Sequence, residues 1–210
     1  MQKYKLVIFD CDGTLVDSES LSNRLIAEMM REVGIPMTET ESLTLFKGTH
    51  FGLITEYVDK HKSEEFNYNF EEEFRKRCQL LFEKELKTIE GAIPFIKKLK
   101  IPFCIASNGP QVKMQTSLSV TGLDHYFSEA NTFSAYDINI FKPKPDLFLY
   151  AAEKMGAEPH ECLVIEDTIP GIEAAQSAGM DVWAVFHPNV NDEIKTYKIK
   201  TFISFNELEI

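Results

Sequence analysis

The stretch LVIFDCDGT at residues 6–14 decides the fold. Its first four residues form an apolar run that is too short for a helix, and such a run is typical of a buried central strand. Two carboxylates, Asp10 and Asp12, follow the run, and Gly13 permits a tight backbone turn beside a ligand. The stretch therefore predicts a buried strand that ends in an acidic turn.

Similar apolar runs recur later in the chain. They occupy residues 103–106, 162–165 and 182–186. Helical patterns lie between the runs, over residues 91–100, 111–121, 146–155 and 171–178. Alternating strands and helices predict an α/β fold, with a parallel sheet that helices cover on both faces. Ligands of such sheets bind beyond the carboxyl ends of the strands.

Residues 17–87 have a different pattern, with long helical stretches rich in Glu, Lys and Phe and almost no strand signal. We interpret this segment as an inserted all-helical domain. The predicted organisation is a core made of residues 1–16 and 88–210, interrupted by the helical domain at 17–87. A chain of 210 residues suits one domain with an insertion better than two independent large domains.

Composition and charge limit the classes of partner. Apolar residues make up 44% of the chain, and no apolar run reaches the roughly 20 residues that a membrane-spanning helix needs. The net charge of −11 opposes attraction to nucleic acid or to an anionic membrane. We therefore expect neither nucleic acid nor a membrane as a partner. We also expect a monomer, because no heptad pattern or apolar patch stands out.

The amino terminus and the cysteines both favour a cytoplasmic location. Lys3 and Lys5 precede a short apolar strand without a small-residue cleavage site, which does not fit a signal peptide. The four cysteines show no paired metal spacing, and Cys104 and Cys162 lie in apolar runs. We expect reduced, structural thiols.

The acidic turn could divide the labour of phosphoryl transfer. Asp10 could attack phosphorus as an ionised nucleophile, with its side chain also bound to a metal. Asp12 could donate a proton to the leaving oxygen and later take one from water, and its backbone carbonyl could bind the same metal. The alternative is an Asp-Gly sequence that simply makes a turn.

Two polar clusters after the acidic turn could bind phosphate. Ser107 and Asn108 follow a strand and could hold phosphate oxygens near the next helix. Lys142, which we favour over Lys144, lies beside prolines that could fix it against a dianionic transition state. The alternatives are an ordinary loop and a solvated surface lysine.

A third cluster, Glu166 and Asp167, closes another strand and could complete an oxygen-ligand site for Mg²⁺. The alternative is an acidic helix cap. All four clusters fall at the carboxyl ends of strands in one inferred sheet, where their side chains can converge. This convergence favours the catalytic interpretation.

These four motifs resemble those of the haloacid dehalogenase-like superfamily, and the match covers nearly the whole chain. The sequence GIEAA at residues 171–175 is similar to the phosphoglucomutase-like branch of that superfamily, and the helical insertion fits the cap of that branch. The resemblance implies a Rossmann-like core, a mobile cap, Mg²⁺ and an aspartyl-phosphate intermediate. It also implies these roles: Asp10 as nucleophile, Asp12 as acid and base, Ser107 and Lys142 as phosphate binders, Asp167 as metal ligand and Glu166 as a further candidate ligand.

Within that branch, the region after residue 106 looks most like bacterial 6-phosphogluconate phosphatases. The similarity rests on SNGP at residues 107–110, KMQ at 113–115 and HYF at 125–127. It implies a small phosphorylated metabolite as substrate, either a sugar phosphate or a sugar-acid phosphate such as 6-phosphogluconate.

The sequence FKGTHF at residues 46–51 resembles the substrate-recognition loop of the cap. At the positions where β-phosphoglucomutases carry a serine and an arginine, this chain carries His50 and Phe51. The difference disfavours a mutase, which must hold a second phosphate. Lys47 and His50 could instead contact a carboxylate or hydroxyl of the substrate, with a solvated lysine and a helix-capping histidine as the alternatives.

Other functions fit parts of the pattern. A mutase-type phosphotransferase and a phosphatase acting broadly on sugar phosphates or nucleotides share the core chemistry. A carbon-halogen dehalogenase would use Asp10 as nucleophile but needs no proton donor such as Asp12. A nonenzymatic receiver module also combines acids, a hydroxyl residue and a lysine on a parallel sheet, yet it has neither the D-x-D-G-T turn nor a large helical insertion.

Overall fold

The computed structural model describes residues 3–46, 49, 51–63, 67–187 and 191–209. The chain divides into two compact units. One unit consists of Met1–Asp17 and Lys87–Ile210, and the other is Ser18–Leu86. The first contains the sheet, and the second is helical.

A parallel sheet forms the centre of the first unit. Its six strands are β1 (Leu6–Phe9), β2 (Phe103–Ser107), β3 (Thr132–Ser134), β4 (Cys162–Glu166), β5 (Asp181–Val185) and β6 (Lys200–Phe202). They lie in the order β3-β2-β1-β4-β5-β6, and all neighbouring pairs are parallel. The central position of β1 explains why all four of its residues are apolar and buried.

The α-helices of the described chain are α1 (Ser18–Glu32), α2 (Glu39–Phe46), α3 (Phe51–His61), α4 (Phe70–Glu85), α5 (Ala92–Lys98), α6 (Gln111–Thr121), α7 (Ala135–Ile138), α8 (Asp146–Met155) and α9 (Ile169–Ser177). Short 3₁₀ helices occupy Leu123–His125, Glu129–Asn131, Pro159–Glu161, Asp192–Thr196 and Phe205–Glu207. The first four α-helices belong to the helical unit, and the rest alternate with the strands.

Strand order changes direction at β1, and this change determines where a ligand can bind. The chain goes from β1 to β2 and β3 on one side, and then crosses to β4, β5 and β6 on the other. Phe9 at the end of β1 is in register with Ile105 of β2 and Ile165 of β4. The carboxyl ends of β1, β2 and β4 therefore lie side by side, at the switch point where α/β sheets bind their ligands.

The sheet is packed on both faces. On one face, Leu6 and Ile8 of β1 join a buried cluster with Val164 of β4 and residues of α8 and α9. On the other face, the ring of Phe9 contacts the rings of three further phenylalanines, Phe95, Phe127 and Phe205. Helix α8 belongs to the first of these faces. Its four buried residues lie on one side of the helix: Leu147, Phe148, Ala151 and Ala152.

The helical unit has its own packing. Helix α1 packs against α2 and α4, and Asn69 caps α4 by accepting a hydrogen bond from the Glu72 N–H at 3.2 Å. Arg77 of α4 donates to Glu32 of α1 and, one turn earlier in its own helix, to Glu73, both at 2.7 Å. No helix within the described ranges is long and apolar enough to cross a membrane.

The α/β fold predicted from the sequence is confirmed, including the four strands expected from apolar runs. Strands β3 and β6 were not predicted from the sequence. Each has only three residues, with the sequences TFS and KTF, so neither contains enough alternation to reveal a strand. Both lie at the edges of the sheet, where pairing with a longer neighbour holds a short polar strand in place.

Two leucines of α8 provide a matched test of the core. Leu147 is fully buried, whereas Leu149 is 38% exposed. We expect Leu147→Ala to lower the free energy of unfolding by about 2–5 kcal/mol, because it removes buried methyl groups and leaves a cavity. Leu149→Ala should cost less than about 1 kcal/mol. Urea denaturation measures both, and equal losses would contradict the packing described for α8.

Candidate active site

The predicted polar clusters meet at the carboxyl ends of β1, β2 and β4. The Asp10 N–H donates to the Ile165 carbonyl at 2.9 Å, which extends the pairing of β1 with β4 by one residue. Ser107 ends β2, and Glu166 ends β4. The parallel register thus brings residues from distant parts of the sequence to one edge of the sheet.

A buried lysine joins two of these acids. Lys142 Nζ donates to Asp10 Oδ1 at 2.6 Å and to Glu166 Oε1 at 2.8 Å. The side chains are 2%, 8% and 1% exposed, respectively. Nearly complete burial of the three groups makes each charge dependent on the others. The Asn108 side chain fixes the lysine backbone, because its Oδ1 accepts from the Lys142 N–H at 3.0 Å.

The trio of Asp10, Lys142 and Glu166 carries an excess of negative charge. Burial raises the pKa of Asp10, Lys142 lowers it and Glu166 raises it again, so that the net shift is upward. Burial lowers the pKa of Lys142, but the two carboxylates outweigh that effect and the net shift is upward. The lysine therefore stays an ammonium, and its single charge is shared by two acids. A further cation beside Asp10 would stabilise its ionised form.

Glu166 accepts hydrogen bonds at both of its carboxylate oxygens. Its Oε1 accepts from Lys142, while its Oε2 accepts from the Asp167 N–H at 2.7 Å, the Thr168 N–H at 2.6 Å and the Thr168 hydroxyl at 2.8 Å. Gly171 packs directly against the carboxylate, and a Cβ at that position would lie 1.9 Å from Oε1. These contacts orient the Glu166 carboxylate towards Lys142.

Asp12 lies beside a second lysine and the Ser107 loop. Its Oδ2 accepts a hydrogen bond from Lys113 Nζ at 2.8 Å. A Cβ built on Gly109 would lie 3.4 Å from that same Oδ2 and 3.7 Å from Ser107 Oγ. Asp12 and Ser107 therefore approach the same point of the loop, with Ser107 buried and its hydroxyl accepting from the Gly109 N–H at 3.3 Å.

Asp167 packs against the acidic turn. Its Oδ1 accepts from the Thr14 hydroxyl at 3.1 Å. Gly13 has a φ of +76°, and a Cβ there would lie 2.3 Å from Asp167 Oδ2. Glycine is required at this position for two reasons, since it adopts the left-handed conformation and leaves room for the carboxylate. The close approach brings Asp167 to the turn that carries Asp10 and Asp12.

Two residues that follow β5 contact the backbone of the site. Asn191 is buried, and its Nδ2 donates to the Asp167 and Val185 carbonyls at 3.0 and 3.1 Å. His187 Nε2 lies 2.8 Å from the Gly13 carbonyl. Neither residue belongs to a recognisable sequence motif. They connect β5 to the acidic turn and to the end of β4.

The acids present fit a magnesium ion. Within the part of the chain that the structure describes, no group of three or more His, Cys, Asp or Glu side chains is arranged to hold a metal. Mg²⁺ does not require such a group, since it keeps several waters and often binds through one or two carboxylates together with substrate phosphate. Asp10 and Asp167 offer hard oxygen donors beside a glycine turn that leaves room for them, so this donor set is suitable.

The structure separates the remaining candidates. Lys142 is buried at the site, whereas Lys144 is exposed. Lys47 and His50, predicted as substrate contacts, lie outside the described residues. All four cysteines lie in described parts of the chain, where they are buried and form no disulfide. Lys113 and Asp12 lie 101 positions apart, so their contact could not be predicted from spacing alone.

A family model for haloacid dehalogenase-like hydrolases matches residues 4–179. The chain therefore belongs to this family, as its four motifs predicted. It is 35% identical over 209 residues to the 6-phosphogluconate phosphatase of Escherichia coli (strain K12), an alignment that covers 99% of this chain and 94% of the relative. A phosphorylated carbohydrates phosphatase of Thermotoga maritima is 29% identical and covers 89% and 87% of the two chains.

The fold matches solved structures of the same family. A family hydrolase from Deinococcus radiodurans R1, solved with bound phosphate and sodium, superposes with a TM-score of 0.85 at 26% identity, and the match covers 99% of this chain and 94% of the other. The predicted enzyme class, a phosphoric monoester hydrolase of this family, is confirmed.

Substituting Gly171 tests whether Glu166 positions the lysine. In Gly171→Ala the new methyl group must displace the Glu166 carboxylate, so we expect a loss of about 3–5 kcal/mol in unfolding free energy, typical of a broken buried ion pair. Phosphate release from p-nitrophenyl phosphate should fall at least about tenfold.

Gly122→Ala provides the control, because Gly122 has a φ of +73° and a Cβ there meets no atom within 4 Å. It should lose about 1–2 kcal/mol through backbone strain and keep its activity. Urea denaturation and the same phosphate assay compare the variants. Full activity in Gly171→Ala would contradict the positioning role of Glu166.

Proposed function

We propose that this protein is a magnesium-dependent phosphatase that hydrolyses a small phosphorylated sugar or sugar acid, such as 6-phosphogluconate, through an aspartyl-phosphate on Asp10. The observation that carries the proposal is the placement of Asp10 at the end of the central strand, bonded to buried Lys142, with Asp12 two residues away beside Ser107. The substrate class is supported by the E. coli relative, which is named for 6-phosphogluconate.

Asp10 is the proposed nucleophile. One carboxylate oxygen attacks phosphorus, and the bond between phosphorus and the leaving oxygen breaks. Lys142 holds the Asp10 carboxylate in place and neutralises charge on the phosphoryl oxygens as they pass through the transition state. Cys11 is no competing nucleophile, because burial and the neighbouring Asp12 and Asp10 carboxylates raise the pKa of its thiol.

Asp12 is the proposed acid and base. It donates a proton to the leaving oxygen in the first step and takes a proton from the water that attacks the aspartyl-phosphate in the second. Ser107, at the end of β2, and the backbone N–H groups of its loop are proposed to bind phosphate oxygens. Asn108 accepts a hydrogen bond from the Lys142 N–H and is proposed to help position Lys142 for phosphate binding.

Asp10, Asp167 and the Asp12 carbonyl are the proposed ligands of Mg²⁺. When bound, this ion supplies positive charge that neutralises the phosphoryl group and keeps Asp10 ionised. Glu166 stays a predicted further ligand of the ion, and its Oε1 also orients Lys142.

Selectivity is proposed to come from the helical unit, acting as the cap that the family resemblance implies. Closure of a cap excludes bulk water and determines the shape around the leaving group. Lys47 and His50 stay predicted contacts to the substrate. The cytoplasmic location and the monomeric state expected from the sequence also stay predictions.

A substrate panel tests the function directly. Phosphate release with Mg²⁺ is measured for 6-phosphogluconate, hexose phosphates, β-glucose 1-phosphate, phosphorylated glycolytic acids and nucleotides. We expect the highest kcat/KM for 6-phosphogluconate and loss of activity in excess chelator, with recovery when Mg²⁺ is restored. Comparable kcat/KM values across the panel would contradict the preference for 6-phosphogluconate but not the phosphatase activity. Undiminished hydrolysis in chelator would contradict the role of the metal.

Asp10→Asn tests the nucleophile. The substitution conserves volume and removes the attacking charge, so turnover should fall at least about 1,000-fold. Asp124→Asn, the same chemical change at an exposed position, should leave turnover within about twofold. Rapid-quench mass spectrometry should detect one added phosphoryl group on the wild-type protein and none on Asp10→Asn. Normal turnover by this variant would exclude Asp10 as the nucleophile.

A further inference from the structure

The two lysines at the site, Lys142 and Lys113, differ in exposure to solvent. Lys142 is buried and held by two acids. Lys113 lies in the first turn of α6, and its side chain is 40% exposed while that of Asp12 is 17% exposed. Its Nζ contacts Asp12 Oδ2 at 2.8 Å. A partly exposed ammonium on a flexible four-carbon stem can turn towards a ligand.

The position of Lys113 relates it to the leaving group of the substrate, provided that the proposed function holds. Asp12 must approach the leaving oxygen within hydrogen-bonding distance, about 2.6–3.2 Å, to donate its proton. Since Lys113 Nζ is 2.8 Å from Asp12 Oδ2, it stands within about 6 Å of that oxygen. Lys113 therefore contacts the proposed proton donor to the leaving group, whereas Lys142 contacts the proposed nucleophile.

The charge of the site makes this position significant. The carboxylates of Asp10, Glu166 and Asp167 create a negative field that opposes a second anionic group on the substrate. A carboxylate in the leaving group therefore needs a cation close to it. Lys142 is committed to Asp10 and Glu166, and Mg²⁺ would serve the phosphoryl group. Among the described residues, Lys113 is the cation that contacts Asp12.

We propose that Lys113 binds the carboxylate of a phosphorylated sugar acid and so selects this class of substrate over neutral sugar phosphates. The Lys113 ammonium donates to the substrate carboxylate, either in place of Asp12 or in addition to it. A charge-assisted hydrogen bond of this kind is stronger than one to a hydroxyl. The discrimination then lies in the leaving group, and the chemistry at phosphorus is unchanged.

Two matched substrates isolate this contact. 6-Phosphogluconate and glucitol 6-phosphate share an open six-carbon chain and a terminal phosphate, but glucitol 6-phosphate carries a hydroxymethyl group instead of the carboxylate. The wild-type protein should prefer 6-phosphogluconate. Lys113→Met should lower kcat/KM for 6-phosphogluconate about 30-fold, mainly through KM. It should change kcat/KM for glucitol 6-phosphate less than about threefold.

Three further variants control for other effects of the substitution. Lys113→Arg, which keeps the charge, should retain the preference for the sugar acid. Lys97→Met makes the same change at an exposed lysine of α5 and should alter neither substrate. Lys113→Gln repeats the test with a polar side chain, so that a folding defect of the methionine variant, detected by its thermal melt, does not decide the result.

The outcomes separate the inference from the function on which it rests. An equal loss on both substrates in Lys113→Met and Lys113→Gln would show that Lys113 acts only through Asp12, and it would overturn the inference while leaving the phosphatase intact. A selective loss on a sugar bisphosphate, with the sugar acid unaffected, would also overturn it. Failure of the wild-type protein to hydrolyse either substrate would overturn the proposed function and the inference with it.

Discussion

The buried ammonium of Lys142 is the interaction on which the rest of the site depends. Two carboxylates can be kept at the edge of a packed sheet only if a positive charge lies between them, because an unpaired charge is costly away from water. The bonds to Asp10 at 2.6 Å and Glu166 at 2.8 Å supply this charge. They also connect β1, β4 and the segment before α8, so the same contacts position the nucleophile and hold three parts of the chain together.

Glycines make this close arrangement possible. Gly13 lies against the Asp167 carboxylate and Gly171 against that of Glu166, each at a distance that no side chain would allow. The acids therefore pack against bare backbone, and their orientation is determined by contacts on several sides. Because the positions are held before substrate arrives, little reorganisation is needed when charge develops on the phosphoryl group. Preorganisation of this kind is expected where electrostatics, rather than covalent chemistry, supplies most of the catalysis.

The excess of acids gives the site two separate needs for positive charge. One is at Asp10, where burial raises the pKa and a divalent cation would favour the ionised nucleophile. The other is on the leaving-group side of Asp12, where Lys113 stands partly exposed. The buried Lys142 and the partly exposed Lys113 thus differ in proposed role as well as in environment. Lys142 is held between two buried acids, whereas Lys113 contacts Asp12 at a partly exposed position.

The sequence by itself determined the fold class, the four longer strands of the sheet and the residues that meet at its carboxyl edge. It could do so because buried strands require continuous apolar runs, and because parallel strands place the residues that follow them at one edge. The short edge strands β3 and β6 could not be read, since three residues carry no periodicity. Only the tertiary structure showed that Glu166 is engaged by protein donors, that Lys113 contacts Asp12 and that Asn191 and His187 support the acidic turn. These are contacts between residues far apart in the chain, which depend on packing and therefore leave no local pattern in the sequence.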